Sequence, residues 1–293
     1  MERIKIGFGS MCIVTAMLIS ALAIGVVASD SHTMNPELTV GNTLPTITGM
    51  AVGSASYDPT ESGNTTVTVY INVTDINGVE DLDDSKATIQ VDDAATFAAA
   101  VGKYTRVCTP LANHSSTVRE YQCQTDLEFF DAAGTYSTNM TAGDQVGTVW
   151  NNTDTNAPTF TYTTLVASTV DENAINFNGV TLGAANSSAV NNPTTVTNTG
   201  NANLQMNVTG ADMTGGVHGE TIGIGNFSVS LDATPTAEMI LSDSTQQIIV
   251  GGVNATASAG ASSTEDLYWY VDVPATLQPD TYTASWTLGT YEL

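Results

Sequence analysis

The chain has 293 residues, enough for one large domain or two of ordinary size. Charged residues make up 12% of it, so Thr, Ser, Asn and Gly must supply most of the polar surface, and that composition favours strands and turns over helices. The formal net charge is −24, from six Lys and Arg against 30 Asp and Glu. Such a surface repels phosphate backbones and anionic lipid headgroups, so we expect no nucleic-acid partner. Multivalent cations fit as partners, while the simplest interpretation is that the charge keeps the protein soluble.

The N-terminus has the layout of an export signal. Two basic residues in the first five precede an uncharged run, and small residues lie just before Asp30. We assign residues 1–29 to a signal peptide or membrane anchor and residues 30–44 to a linker. The apolar run at 6–27 is long enough to span a bilayer, since about 20 residues suffice. A cleaved signal, an uncleaved anchor and a pilin-type leader all remain open, and membrane contact is expected only through 6–27 if that run is not cleaved.

Alternating side chains predict an all-β body. In "NTTVTVYINVT", residues 64–74, valines and an isoleucine alternate with Thr, Tyr and Asn, which is the pattern of a half-buried strand. Similar short segments recur, separated by turn residues, at the spacing of an antiparallel sandwich. The predicted strands are 46–52, 65–74, 86–91, 103–109, 118–127, 134–142, 146–150 and 159–166, followed by 175–182, 193–199, 202–208, 222–231, 237–241, 246–250, 267–273 and 281–289. We predict two antiparallel β-sandwich domains, at 45–166 and 167–293.

The two cysteines beyond the leader lie in "RVCTPLANHSSTVREYQC", which has the pattern of a hairpin. Cys108 and Cys123 would then lie on paired strands, where disulfide geometry is accessible. Two free buried thiols are the other interpretation. We predict the disulfide, because the chain carries an export signal and disulfides persist in oxidising compartments.

N-x-S/T triplets are frequent and predict N-glycosylation. In four of them, at Asn72, Asn139, Asn207 and Asn226, the acceptor alternates with apolar residues and is expected to face outward, as a bulky glycan requires. The predicted acceptors are Asn64, Asn72, Asn113, Asn139, Asn151, Asn186, Asn207, Asn226 and Asn254. The other interpretation is that Asn and Thr simply decorate a solvated sheet.

An acidic turn, "DINGVEDLDD", follows the strand at 64–74. Its hard oxygen ligands around a glycine, at Asp75, Asn77, Asp81 and Asp83, suit Ca²⁺, although the spacing is not that of an EF-hand. The alternative is an ordinary acidic turn whose side chains bond their own backbone. Calcium is the one cofactor that the sequence predicts.

Catalytic motifs do not appear in the sequence. Of the three histidines, His32 lies in the predicted linker, while His114 and His218 lie in different halves of the body, and no HExxH or GxSxG occurs. We therefore expect no enzymatic activity. Aromatic residues of the two halves, and above all "YWY" at 268–270, could instead stack on sugars or pack in a core.

Several segments resemble a known class of protein. "PTITGMAVGSASYDPTESGNTTVTVYINVTDINGVEDLDD" and "CQTDLEFFDAAGTYSTNMTAGD" are similar to the Ig-like modules of exported archaeal cell-surface proteins. "NPTTVTNTGNANLQMNVTGADMTGG" and "DLYWYVDVPATLQPDTYTASW" resemble the β-sandwich that follows such modules. The resemblance implies an extracellular or cell-surface protein, S-layer-associated or filament-forming, without catalytic residues. Its partners would be other copies of itself or other envelope proteins, with glycans possible; the alternative function is a carbohydrate-binding or adhesion module.

Overall fold

The computed structural model describes residues 37–38, 40–93, 104–150, 158–234, 238–243, 247–253 and 263–293. The predicted leader and the sequon asparagines at 151 and 254 lie outside these ranges. All strands described below belong to a compact unit from Asn42 to Leu293. Within the described residues, the structure contains no helix with the length and apolarity needed to cross a membrane.

The unit is built from short strands, which confirms the all-β prediction. Its first ten strands are β1 (Thr46–Val52), β2 (Ser56–Tyr57), β3 (Asn64–Thr74), β4 (Thr88–Asp92), β5 (Tyr104–Val107), β6 (Thr109–Asn113), β7 (Val118–Glu128), β8 (Gly134–Gly143), β9 (Thr148–Trp150) and β10 (Thr159–Tyr162). The next six are β11 (Ser168–Val170), β12 (Ser187–Ser188), β13 (Thr194–Asn198), β14 (Leu204–Thr209), β15 (Met213–Gly215) and β16 (Thr221–Ile222). The last six are β17 (Phe227–Ser230), β18 (Met239–Ile240), β19 (Gln247–Val253), β20 (Thr264–Val271), β21 (Tyr282–Thr283) and β22 (Thr287–Glu292). Three single 3₁₀ turns, at Val79–Asp81, Asp84–Lys86 and Ile224–Asn226, complete the described structure.

Two sheets contribute to the first hydrophobic core. One has the strand order β1-β3-β7-β6, and the other has the order β2-β10-β8-β4-β5 with β9 paired to β8. Neighbouring strands in both sheets are antiparallel, except that β2 pairs with β10 in parallel. The alternation in β3 turns Val67, Val69, Ile71 and Val73 into this core, where all four are buried. The pattern read from residues 64–74 is therefore confirmed, including which face is apolar.

A second core forms from the later strands. The largest of its sheets has the order β11-β13-β20-β17-β18 with β12 paired to β20, and two three-stranded sheets have the orders β19-β14-β22 and β16-β15-β21. Leu204, Met206 and Val208 on β14 are buried in this core together with Leu267 and Trp269 on β20. Sheet-on-sheet burial of alternating residues is the packing of a β-sandwich.

The strand predicted at 175–182 is wrong, because the segment forms a series of turns. Gly179 and Gly183 have φ angles of 76° and 75°, in the left-handed region that interrupts a strand. Ile175 and Phe177, which produced the apparent alternation, pack half-buried against the second core from this loop. Their apolar character thus reflects loop packing and carries no information about strand pairing.

The disulfide between Cys108 and Cys123 is present, as predicted, with Cα atoms 4.2 Å apart. Cys108 lies between β5, a strand of the second sheet, and β6, a strand of the first, so the chain changes sheets at this residue. Its N–H donates to the carbonyl of Ala87, and its partner Cys123 is fully buried on β7. The bridge therefore fastens the crossing point to the first core.

Candidate functional site

The strongest candidate site begins where β3 ends. Asp75 follows the strand, is fully buried, and accepts the N–H of Asn77 at 2.8 Å through Oδ1. The carbonyl of Asp75 accepts the N–H of Gly78, whose φ of 114° lets the chain reverse direction. The N–H of Asp75 donates to Thr117 at 2.8 Å, which ties this turn to the start of β7. The hydrogen bond from Asn77 thus holds one oxygen of the Asp75 carboxylate in place inside the protein.

A second buried carboxylate comes from the turn between β8 and β9. Asp144 is fully buried, and its Oδ1 accepts the N–H groups of Val146 and Gly147 at 2.8 and 2.7 Å. Asn42 donates to its Oδ2 at 2.7 Å, which brings the start of the compact unit to the same place. Burial alone would raise the pKa of Asp144, but these three hydrogen bonds and the nearby charge of Lys86 outweigh it and hold the pKa below its ordinary value.

The carboxylates of Asp75, Asp81 and Asp144 converge. One oxygen of each lies within 4.8 Å of the others, although Asp144 is distant from the other two in sequence. Asp81 is the last residue of the 3₁₀ turn Val79–Asp81. Because Asp81 is only half-buried, the cluster is accessible on that side. The Oδ2 atom of Asp75 is buried and has no hydrogen-bond partner within the described structure. Three like charges and an unsatisfied buried oxygen make an arrangement that a cation would stabilise.

The other two residues of the predicted calcium turn have different contacts. Asn77 accepts the N–H of Thr43 at 2.9 Å through Oδ1, so it anchors the incoming chain. Asp83 accepts the N–H and hydroxyl of Ser85 at 3.1 and 2.6 Å, and its Oδ2 lies 3.6 Å from the ammonium of Lys86. Sequence reasoning missed Asp144, since only its position between two glycines in "GDQVG" marks it as a turn residue, and nothing local relates that turn to Asp75.

The predicted glycosylation sites differ widely in exposure. Asn139 and Asn207 are only 2% and 9% exposed, so the expectation that they face outward is wrong. On β8 the residues from Tyr136 to Gly143 are buried on both faces, which alternation with apolar neighbours could not reveal. Asn64, Asn113 and Asn186 are exposed, while Asn72 and Asn226 are half-buried.

The aromatic residues of the second half pack mainly in the second core and form little exposed surface on which sugars could stack. Trp269 is 2% exposed, and its indole N–H donates to Thr194 at 3.0 Å. Tyr270 is equally buried and donates its hydroxyl to the carbonyl of Ala233 at 2.8 Å. Trp286 is half-buried and packs edge-on against Phe227. Beside these rings lies an open cavity of about 970 Å³, lined by both polar and apolar residues.

Comparison with known proteins adds little to this geometry. No protein-family profile and no curated protein sequence matches the chain. Among solved structures, a crystal structure of dimeric latent PorU from Porphyromonas gingivalis aligns with 85% of this chain at 13% identity and a TM-score of 0.25. The match spans only 20% of the PorU chain, and a likeness at this level carries no argument about activity or partners. What the fold and the site define is an all-β, disulfide-linked protein of sandwich-like sheets with a buried acidic cluster.

Proposed function

We propose that this chain is an exported structural protein of the cell envelope, glycosylated, and self-assembling into a surface layer or an extracellular filament. Its two hydrophobic cores would correspond to two tandem Ig-like sandwiches that meet near residue 167. The disulfide supports export, because such bonds are rare where cytosolic thiols are kept reduced.

The proposal of self-assembly rests on two edge strands that carry little charge. Among the described strands, β1 and β22 each pair on one side only, with β3 and β14 respectively. β1 (TITGMAV) has no charged residue and β22 (TLGTYE) has one, although the whole chain carries a net charge of −24. Edge strands with little charge are templates for pairing with another chain. Pairing between two different edges of successive copies would produce an open filament.

Electron microscopy of the purified exported protein tests this proposal. We expect ordered arrays or filaments from the wild-type protein and dispersed particles from Ala51→Lys, which places a charge on the exposed face of β1. Ala132→Lys adds the same charge at an exposed position in the turn between β7 and β8, and it should assemble normally. Dispersed wild-type particles at every concentration, or assembly of Ala51→Lys like wild type, would contradict the proposal.

A second candidate function is carbohydrate binding or adhesion, and the cavity beside Trp286 is the observation that favours it. Phe177 and Trp286 both line the cavity and are half-buried, so each offers ring surface on which a sugar could stack. Retention on a polysaccharide column that is lost in Phe177→Ala, but kept in the exposed-loop variant Val217→Ala, would support this function. If the wild-type protein passes through the polysaccharide column without retention, the carbohydrate-binding function is contradicted.

A further inference from the structure

We propose that Asp75, Asp81 and Asp144 bind a Ca²⁺ ion that fastens the two sheets of the first core together. This inference is independent of the proposed function, because it needs neither export nor assembly. It differs from the calcium turn expected from the sequence, since the third carboxylate comes from the β8–β9 turn of the opposite sheet.

The unpartnered oxygen of Asp75 is the observation that points to a ligand. Asp75 is fully buried, and its Oδ2 accepts no hydrogen bond from any described residue. A buried carboxylate oxygen left without a partner is costly, and two further carboxylates within 4.8 Å increase that cost through repulsion. A divalent cation between the three would satisfy the oxygen and reverse the repulsion.

Lys86 does not satisfy this requirement. Its ammonium donates to the main-chain carbonyl of Asp144, and in the described part of the chain its one ion pair is with Asp83, at 3.6 Å. The lysine therefore lies beside the cluster and compensates part of its charge, without making an ion pair with any of the three carboxylates.

The donor set favours calcium over magnesium. All three donors are carboxylate oxygens, the hard ligands that both ions take. Two of the donor residues, Asp75 and Asp144, are fully buried, so an ion at this place must give up much of its water. Ca²⁺ accepts irregular sets of six to eight oxygens and dehydrates readily, whereas Mg²⁺ usually keeps several waters. The half-buried side at Asp81 leaves room for the waters that complete the calcium shell.

The position explains what the ion would do. Asp75 ends β3 in one sheet, and Asp144 follows β8 in the other. The same turns also hold the start of the compact unit, because Asn42 donates to Asp144 and Thr43 donates to Asn77. Calcium would therefore connect two turns that are remote in sequence, beside the start of the compact unit, and it would stabilise the folded state by mass action.

Asp81→Asn is the decisive variant. Asp75 and Asp144 also hold turns through their side chains, so replacing either could disturb folding, whereas no side-chain hydrogen bond of Asp81 is part of the described network. Glu80→Gln is the matched control, because Glu80 is exposed in the same 3₁₀ turn and lies outside the cluster. Both variants lose one negative charge.

The experiment measures the melting temperature of the full chain in EGTA, in excess CaCl₂ and in equal MgCl₂, with calcium affinity from titration calorimetry. We expect calcium to raise the melting temperature of wild type and Glu80→Gln alike. Asp81→Asn should melt higher than wild type in EGTA, because repulsion is relieved, and should bind calcium at least about tenfold more weakly. The proposal is overturned by equal melting of wild type in EGTA and calcium, by an equal calcium response in Asp81→Asn, or by an equal magnesium response in all three proteins, which would indicate charge screening alone.

Discussion

The side-chain amide of Asn201 donates to the main-chain carbonyl of Asp131 at 3.0 Å, and so joins the turn between β13 and β14 to the turn between β7 and β8. The same amide donates to Thr163 at 3.0 Å, and its Oδ1 accepts the N–H of Leu165 at 2.6 Å. Asn201 is 9% exposed. One side chain from the second-core region thus satisfies backbone groups of the first-core region and of the segment between the two.

Asn201→Ala should therefore weaken the connection between the two cores. The Asp131 carbonyl is buried, and leaving it without its partner costs about 1–3 kcal/mol of unfolding free energy. We also expect the thermal transition to broaden or split as the cores unfold separately. Scanning calorimetry measures both effects. Asn178→Ala, at an exposed position of the loop at 175–182, should leave the transition unchanged. A single sharp transition in Asn201→Ala at the wild-type temperature would show that the joint does not depend on this residue.

Removing the disulfide should destabilise the protein without changing its strands. Cys108 and Cys123 are 15 residues apart, and closing a loop of that size contributes roughly 3 kcal/mol in the chain-entropy model. Urea unfolding of the Cys108→Ala, Cys123→Ala double variant should show this loss, while far-ultraviolet circular dichroism stays that of a β protein. The reductant sensitivity of the wild type should disappear in the variant. Equal unfolding midpoints for both proteins would contradict a stabilising bridge.

Alkaline pH should destabilise the first core through its tyrosines. Burial raises the pKa of Tyr104, Tyr121, Tyr136 and Tyr162 above the ordinary value of 10.0. Because the folded pKa is the higher one, the stabilisation is complete below about pH 10 and is lost as pH rises above that value. Urea unfolding across about pH 8 to 11, with tyrosinate absorbance as the second signal, measures the slope.

Tyr121→Phe makes the alkaline prediction specific. The Tyr121 hydroxyl donates to Asp84 at 2.7 Å, so the variant should be less stable near neutral pH by about 1 kcal/mol, yet lose stability less steeply above pH 10. The Arg119 guanidinium also donates to Asp84, at 2.8 Å, and keeps that carboxylate partnered in the variant. Parallel pH curves for the two proteins would refute the assignment of part of the slope to Tyr121.

Burial should decide which sequons carry glycans. We expect modification at exposed Asn64, Asn113 and Asn186 and none at buried Asn139 and Asn207, because a glycan needs room around the amide nitrogen. Asn207 also packs closely against Gly289, since a Cβ added to that glycine would lie 2.6 Å from the Asn207 Oδ1. Glycopeptide mass spectrometry of the native protein reads the occupancy site by site. A glycan on Asn139, or bare peptides at all three exposed sites, would contradict this prediction.

Much of the fold was readable from local pattern. The bounds predicted for β1, 46–52, match the structure, and β3, β7 and β8 each differ from their predictions by one residue. In β3, the alternation of apolar and polar residues also fixes which face is buried, since a shift of one residue would turn the apolar set to the other side. Two-residue strands such as β2 and β12 escaped prediction, since so short a segment has no periodicity to detect. The strand predicted at 175–182 was wrong for the opposite reason. Ile175 and Phe177 are spaced as in a strand, but they pack against the second core from a loop.

The candidate site was only half predictable. Asp75 and Asp81 lie in one acidic turn and could be proposed as ligands from the order of residues there, but the same turn offered Asn77 and Asp83 with equal chemical merit. Which of these carboxylates and amides turn inward depends on neighbours such as Thr43, Ser85 and Lys86, which lie on several segments.

By itself the sequence determined the β character of the chain, the apolar face of its longest strands and the pairing of its two cysteines beyond the leader, because alternation and residue chemistry act over a few neighbouring positions. Only the tertiary structure decided that the Asp144 carboxylate lies beside that of Asp75, that Asn139 is buried and that Asn201 links the two cores. These three facts depend on which turns and sheets meet after the chain has crossed between layers. Long-range contacts of this kind are set by the packing of whole sheets, and no short stretch of residues encodes them alone.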